Sequence, residues 1–287
     1  MSAAFALDGF DLDGFVAATL AEDLGDPGDI TSAAVIPAEA RFTGVMASRD
    51  AITVAGLGIA EAFFRALDPD VRIERVVEDG TAVPAGTVLM RLEGAARALL
   101  TAERSALNTV QHLSGVATLT AAYVATIAGT GATLLDTRKT IPGLRVLEKY
   151  ATRMGGAENH RMGLWDAAMI KDNHVAVAGG IGAAVARARA AGIARIIVEV
   201  DHADQIEPAL AAGATHLLLD NMDAERLRAA VVQVAGRVPT EASGGVTLHT
   251  IRALAGTGVT YVSVGRLTQS APAADIGLDF AAADVVR

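Results

Sequence analysis

From Ala132 onward the chain repeats one unit: a short apolar strand, a polar loop, then an Ala/Val/Leu-rich helical stretch. The strand-like pieces are ATLLD (132–136), AAMI (167–170), RIIVEV (195–200), HLLL (216–219), TEAS (240–243) and YVSV (261–264). They are apolar throughout, without the in-out alternation of a half-exposed sheet, as parallel strands covered on both faces should be. That rhythm leaves an α/β class with two architectures, a barrel or an open doubly wound sheet. A full eight-unit barrel needs ~250 residues. Here about six units lie between residues 132 and 271. The expectation is an open, incomplete (β/α) barrel of about six strands, completed by another domain or a second subunit.

The preceding residues follow a different rhythm. A helical stretch from Phe10 to Leu24 ends in the turn GDPGD (25–29). Strand-like RFTGVMAS (41–48), VRIERVVE (71–78) and TVLMRLE (87–93) follow, with helical LGIAEAFFRAL (57–67) between the first two. Helical pattern then dominates from Ala95 to Ala128. This order suggests an N-terminal α/β (α+β) sandwich domain at 1–115, with the tail 272–287 packing back on it, and a barrel domain at 116–271. Residues 105–135 carry no Asp, Glu, Lys or Arg. Asn108, Gln111 and His112 nevertheless form a polar stripe at helical spacing and Gly115 interrupts, so a buried helix running into a buried strand is expected rather than a membrane span.

Composition removes several classes. Cysteine is absent, which excludes disulfide frameworks, thiolate nucleophiles, zinc ribbons and iron–sulfur clusters. The net charge is −9, the wrong sign for a nucleic-acid partner. The first basic residue is Arg41, so the start lacks the cationic n-region of an export signal. A cytoplasmic enzyme without a membrane segment is expected.

In barrels of this kind chemistry gathers at the C-terminal strand ends. Those ends carry Asp136-Thr137-Arg138-Lys139, Lys171-Asp172-Asn173-His174, Glu199 and Asp201, Asp220-Asn221, Glu241 with Ser243-Gly244-Gly245, and Gly265-Arg266. All three lysines of the chain, Lys139, Lys149 and Lys171, fall between residues 138 and 171. With Arg138, Arg145, Arg153 and Arg161 they make seven cations against Glu148, Glu158 and Asp166, a local charge of +4 in a chain at −9. Arg145, Lys149 and Arg153 recur every fourth residue and read as one solvated helix face. Arg138, Lys139, Arg161 and Lys171 fall in loops or at strand ends and read as a pocket for a polyanion.

ASGG (242–245) precedes a helix expected near Thr247, and VGRLTQS (264–270) follows the last strand. Consecutive glycine-rich loops after the final strands of a barrel are suited to cradling phosphate. Glu199 and Asp220 end adjacent strands among cations. They could hold Mg²⁺ together with substrate phosphates or pair with Lys139 or Lys171. His160, in GGAENHR (155–161), reads as a ligand contact and His174 as supporting it, whereas His112, His202, His216 and His249 read as structural.

DTRKTIPGLRVLEKYA (136–151), GGAENHRMGLWDAAMIKDNH (155–174), VEVD (198–201), LLLDNM (217–222), EASGG (241–245) and VSVGRLTQS (262–270), with TAERSALN (101–108), resemble quinolinate phosphoribosyltransferase. The resemblance runs from about residue 23 to 280. It implies transfer of phosphoribosyl from PRPP to the ring nitrogen of quinolinate, with Mg²⁺, giving nicotinate mononucleotide, pyrophosphate and CO₂ in NAD biosynthesis. It implies a homodimer with shared active sites and no organic cofactor. Position by position, it assigns Arg138, His160, Arg161, Lys171 and the partner subunit's Arg104 to the two quinolinate carboxylates. Lys139, Ser243, Gly244, Gly245 and Gly265 fall on the PRPP side, Glu199 and Asp220 near metal and ribose. Lys139, Lys171, Glu199 and Asp220 are then the catalytic set.

Rival readings are a Schiff-base aldolase using Lys139 or Lys171 and a biotinyl- or lipoyl-type carrier built on VEDGTAVPAGTVLMRLEG (77–94). A pyrophosphorylase-like relative associated with molybdenum transport, or a broader nicotinate or nicotinamide phosphoribosyltransferase, would share the fold and differ in acceptor.

Overall fold

The computed structural model describes residues 6–280. Twelve strands and eleven α-helices are described, and the chain divides into two compact units. One comprises residues up to Leu119, Val146–Gly155 and the chain from Ala271. The other comprises Thr120–Arg145 and Gly156–Ser270. Residues 281–287 of the expected C-terminal tail lie outside the described residues.

The first unit opens with α1 (Leu12–Leu24), whose N-cap Asp11 accepts from the Gly14 N–H, and α2 (Ile30–Val35), capped in the same way by Asp29 on Ser32. Strand β1 (Arg41–Ser48) leads to β2 (Ile52–Thr53), α3 (Leu57–Leu67), β3 (Arg72–Arg75), β4 (Ala82–Val83), β5 (Val88–Ala95) and the long α4 (Ala96–Ile127). The chain later returns with β12 (Ile276–Phe280), so that the main sheet is antiparallel in the order β12-β1-β5-β3. The strand expected over 71–78 stops at Arg75, and the chain turns before the β4–β2 pair. Gly115 does not break α4. A Cβ there would lie 2.0 Å from the Pro272 carbonyl oxygen, so the glycine admits a close backbone crossing. Asp79 caps α3 by accepting the Gly56 and Leu57 N–H groups at 2.9 and 3.2 Å, and Tyr150 donates to the same carboxylate at 2.6 Å.

The second unit contains the repeated βα pattern. Its strands are β6 (Thr133–Leu135), β7 (Ala168–Ile170), β8 (Ile196–Val200), β9 (His216–Asp220), β10 (Thr240–Ser243) and β11 (Tyr261–Ser263). Helix α5 (Arg145–Met154) follows β6 in sequence but belongs, after Arg145, to the first unit. Helices α6 (Asp172–Ala178) and α7 (Ile181–Ala190) follow β7, and α8 (Ile206–Ala212), α9 (Ala224–Val234), α10 (Ile251–Ala255) and α11 (Arg266–Gln269) follow the next four strands in turn. All sheet pairs are parallel, in the order β6-β11-β10-β9-β8-β7. Among the described residues no ladder joins β6 to β7, so the ring is open there: an open β/α barrel. The free side of β6 carries a single parallel bridge, Leu135 to Glu158.

Two expectations are corrected. Lys149 is 1% exposed, so the Arg145–Lys149–Arg153 row is not a solvated face. α5 turns that row partly into the protein because Leu147, Glu148, Ala151 and Thr152 bury with it. The helix expected near Thr247 starts at Ile251. Thr247 and Thr250 form a turn before it, with the Thr247 N–H donating to Thr250 Oγ1 at 3.0 Å.

Candidate active site

Strand register aligns the chemistry. Ser243 pairs with Asp220, and Glu241, one step inside, pairs with Leu218 and Tyr261. Side chains two residues apart share a face. His216, Leu218 and Asp220 therefore point the same way along β9, as do Glu241 and Ser243 along β10. Leu218 packs with Ile197 and Ala167 in a buried cluster, with Met169 against it. An apolar floor thus lies beneath the polar strand ends.

At those ends Lys171 Nζ is ion-paired with Glu199. Burial pushes the Asp220 carboxyl above the ordinary aspartate value and the negative charge of Glu199 adds to it, while Lys171 and Lys139 oppose. Four of the expected residues, Lys139, Lys171, Glu199 and Asp220, are therefore within electrostatic reach of one centre. Two neighbouring carboxylates, Asp220 held up in part by the charge of Glu199, suit a hard divalent cation that takes only part of its shell from protein. Among the described residues no group of three or more His, Asp and Glu side chains forms a metal cage.

The supports of this cluster are local. Asn221 has φ +52°, a left-handed conformation that Asn tolerates better than most residues. Its N–H donates to the Ser243 carbonyl at 2.9 Å and its Nδ2 to Asp220 Oδ2 at 2.6 Å. Gly244, at φ +93°, leaves no room for a Cβ, which would fall 2.1 Å from Asn221 Oδ1. Gly245 is also left-handed, exposed, and faces open space. Gly265 lets Lys139 pass, since a Cβ there would sit 2.6 Å from Lys139 Cδ. Thr268 Oγ1 donates to the Lys139 carbonyl at 2.7 Å, and the Lys139 N–H donates to Thr137 Oγ1 at 3.0 Å. His174 Nδ1 accepts the Lys171 N–H at 3.0 Å at the start of α6.

A second group adjoins β6. Asp136, buried at its end, accepts the His160 N–H at 2.8 Å and the Asn159 amide at 2.6 Å. His160 Nδ1 accepts the Arg161 N–H at 2.7 Å, and His160 Nε2 contacts Glu241 Oε2 at 3.2 Å. Arg161 Nη1 donates to the Ala167 carbonyl at 2.8 Å. Burial and the neighbouring Arg138 guanidinium both work against the charge on Arg161, with Asp166 opposing them. Arg138 Nε is buried with no hydrogen-bond partner among the described residues. Two crowded guanidiniums with such a donor to spare suit a planar anionic group. Arg145 ties the Arg138–Arg161 loops together by donating to Thr140 Oγ1 and the Met162 carbonyl at 3.1 and 3.2 Å.

Arg104 is the expected residue that stands apart. It belongs to the first unit, where it lines a cavity of about 320 Å³ with Asp23, Asp29 and Thr101. The sequence places Asp136, Asn221 and Glu241 at the strand ends and within the motifs but assigns none of them a role. The part each plays, above all the meeting of Glu241 with two histidines, is seen only in three dimensions.

The chain matches the models of the quinolinate phosphoribosyl transferase N-terminal domain at residues 29–114 and C-terminal domain at residues 116–279. It is 45% identical over 269 residues to a Mycobacterium leprae nicotinate-nucleotide pyrophosphorylase [carboxylating], covering 91% of this chain and 94% of that protein. It is 40% identical over 297 residues to quinolinate phosphoribosyltransferase [decarboxylating] 1 of Nicotiana glauca, covering 94% and 82%. The crystal structure of NadC from Streptococcus pyogenes superposes with a TM-score of 0.91 at 38% identity, covering 97% of this chain and 100% of that one. With two family domains covering most of its length, relatives alike from end to end and an open β/α barrel carrying the charged cluster, this chain belongs to the quinolinate phosphoribosyltransferase family.

Proposed function

We infer that the chain transfers the phosphoribosyl group of PRPP to the ring nitrogen of quinolinate and releases nicotinate mononucleotide, pyrophosphate and CO₂, a step of NAD biosynthesis. The observation that best supports this is the pairing of two clusters at one set of strand ends. Arg138, with its unpartnered buried Nε, stands beside Arg161, and Lys139, Lys171, Glu199 and Asp220 surround a second centre.

Arg138, Arg161 and Lys171 take the two ring carboxylates, with His160 in the same pocket and the partner subunit's Arg104 reaching it from outside. Lys139 and the backbone of Ser243, Gly244, Gly245 and Gly265 take the phosphates. As the bond from ribose C1 to pyrophosphate breaks, positive charge grows on C1, and the Glu199 and Asp220 carboxylates stabilise it. Glu199 and Asp220 are the residues that would hold Mg²⁺, which would supply charge neutralisation for the leaving group. The quinolinate nitrogen is a poor nucleophile, so orientation by the guanidiniums matters more than base catalysis. Once the N–C1 bond has formed, the pyridinium accepts the electron pair left when the C2–carboxylate bond breaks, and a proton replaces CO₂ at C2. No organic cofactor is needed. A Schiff-base role for Lys171 fits poorly, because that lysine is part-exposed and paired with Glu199 rather than desolvated as an activated amine would be.

The same reading makes the protein a cytoplasmic homodimer, each chain having a sandwich domain at 1–115 and a barrel domain at 116–271. Among the described residues no helix is long and apolar enough to cross a membrane. The deciding experiment supplies quinolinate, PRPP and Mg²⁺, with nicotinate as a parallel acceptor. Nicotinate mononucleotide formed from quinolinate alone, dependent on PRPP and Mg²⁺, is the expected result. No product from quinolinate with a folded sample would move the reading to the pyrophosphorylase-like relative.

A further inference from the structure

Glu241 is 0% exposed and belongs to neither substrate set. It lies on β10 one step inside Ser243, at the level of Leu218. Two imidazoles converge on one of its oxygens: His160 Nε2 at 3.2 Å and His216 Nε2 at 3.1 Å. His216 is itself held flat by stacking on Tyr261, with ring centroids 5.6 Å apart and planes 19° from parallel. A carboxylate buried at this depth is costly unless hydrogen-bonded or paired, and this one has company from β9 and from the loop beside β6.

The His160 ring has a fixed polarity. The Arg161 backbone N–H can only donate, so Nδ1, which meets it at 2.7 Å, must be the acceptor. The proton of a neutral ring is then on Nε2, the nitrogen that faces Glu241. Both ring nitrogens are thus engaged inside the barrel. The His160 backbone is fixed as well, by its N–H donated to Asp136. The chain Glu241–His160–Arg161 therefore runs from the barrel interior to a guanidinium that is further anchored on the Ala167 carbonyl.

We propose that Glu241 is a positioning residue for the acceptor pocket, fixing His160 as the Nε2–H tautomer so that its Nδ1 holds the Arg161 backbone and aims that arginine at a quinolinate carboxylate. This rests on reading Arg161 as a carboxylate contact. His160 then serves the pocket through Arg161, with its ring facing inward, and Glu241 acts two residues removed from substrate. Loss of the carboxylate frees the ring to rotate or change tautomer. The defect falls on quinolinate more than on PRPP, because the Glu241 side chain meets His160 and His216 while the phosphates are taken by Lys139 and by backbone groups of the loops after β10 and β11.

The test combines steady-state kinetics of Glu241→Gln, Glu241→Asp and Arg161→Ala with nitrogen-15 NMR of the wild-type histidines, assigned by His160→Gln. In wild type the His160 signals should show an unprotonated Nδ1 and a protonated Nε2. Glu241→Gln should raise KM for quinolinate about tenfold or more while KM for PRPP stays within about twofold, since small misplacements of a positioning group are that costly. Glu241→Asp should recover part of the loss. The opposite tautomer in wild type, or an unchanged quinolinate KM in Glu241→Gln, would overturn the proposal, as would an equal loss in every constant. The wild-type spectrum decides even if Glu241→Gln fails to fold. If Arg161→Ala raises the quinolinate KM and Glu241→Gln does not, only the role of Glu241 falls. If Arg161→Ala leaves that KM unchanged, the reading of the pocket falls first.

Discussion

Arg138 and Arg161 are placed where like charges repel and solvent is partly excluded, an arrangement that costs free energy in the absence of an anion. Lys139 instead threads past Gly265 into the glycine-loop side. The two cation types should therefore separate kinetically. Arg161→Ala is expected to raise KM for quinolinate strongly, by about 10²-fold for a lost charge-assisted contact of about 3 kcal/mol. Lys139→Ala should mainly lower the rate of phosphoribosyl transfer, and single-turnover kinetics against steady-state KM values checks the division. Glu241 gives a pH prediction. Burial alone would raise its carboxyl, but the hydrogen bond from His160 and the nearby His216 imidazole outweigh it and bring it down to about 2. A carboxyl lower in the folded than in the unfolded chain contributes stability above its unfolded value, and that contribution fades as pH falls toward the folded value. Urea melts of wild type and Glu241→Gln should thus differ most near neutrality and converge from about pH 4.5 downward. A gap that widens on acidification would contradict the assignment.

At the scale of elements, Gly115 carries a clear expectation. The helix α4 passes it uninterrupted, and the Pro272 carbonyl occupies the space of its missing Cβ. Gly115→Ala improves helix propensity yet must push the segment leading to β12 aside, so a net destabilisation of about 2 kcal/mol is expected in urea unfolding. Stabilisation would show that α4 and this segment do not approach as described. The same residue shows where sequence reading stops. Gly115 looked like a helix interruption because its reason is a partner more than 150 residues away. The barrel strands were legible nearly to the residue, since uniform apolar runs of that length bounded by polar loops have few alternatives. Their ends were legible because a parallel barrel collects its loops on one face. β12 was not, because IGLDF has little pattern of its own and becomes a strand by pairing with β1. Lys149 misled for a related reason: its spacing with Arg145 and Arg153 describes a helix face, and only packing says which way that face points. Glu241 sits within a glycine-loop motif, EASGG, whose neighbours claim the attention, and nothing in that string announces two histidines from other strands and loops.

For the whole molecule, the proposed role of Arg104 in the acceptor pocket is the feature to test, because Arg104 belongs to the first unit and the other proposed contacts to the second. If the partner subunit's Arg104 completes each acceptor pocket, a site is made of two chains, and defects in different halves can compensate. Arg104→Ala and Lys139→Ala should each give a dimer with every site damaged. Mixed dimers would have one site with both lesions and one with neither. Statistical reassortment by denaturation and refolding should then restore about a quarter of the wild-type activity in an equimolar mixture, because half the dimers are mixed and half their sites are intact. An Arg104 acting within its own chain predicts no recovery, since every site in the mixture would keep one of the two lesions. Refolding each variant alone sets the baseline, and sedimentation of the mixture establishes that dimers re-formed. Recovery to about that fraction, with KM for quinolinate returning to the wild-type value in the restored sites, is the outcome a shared site requires.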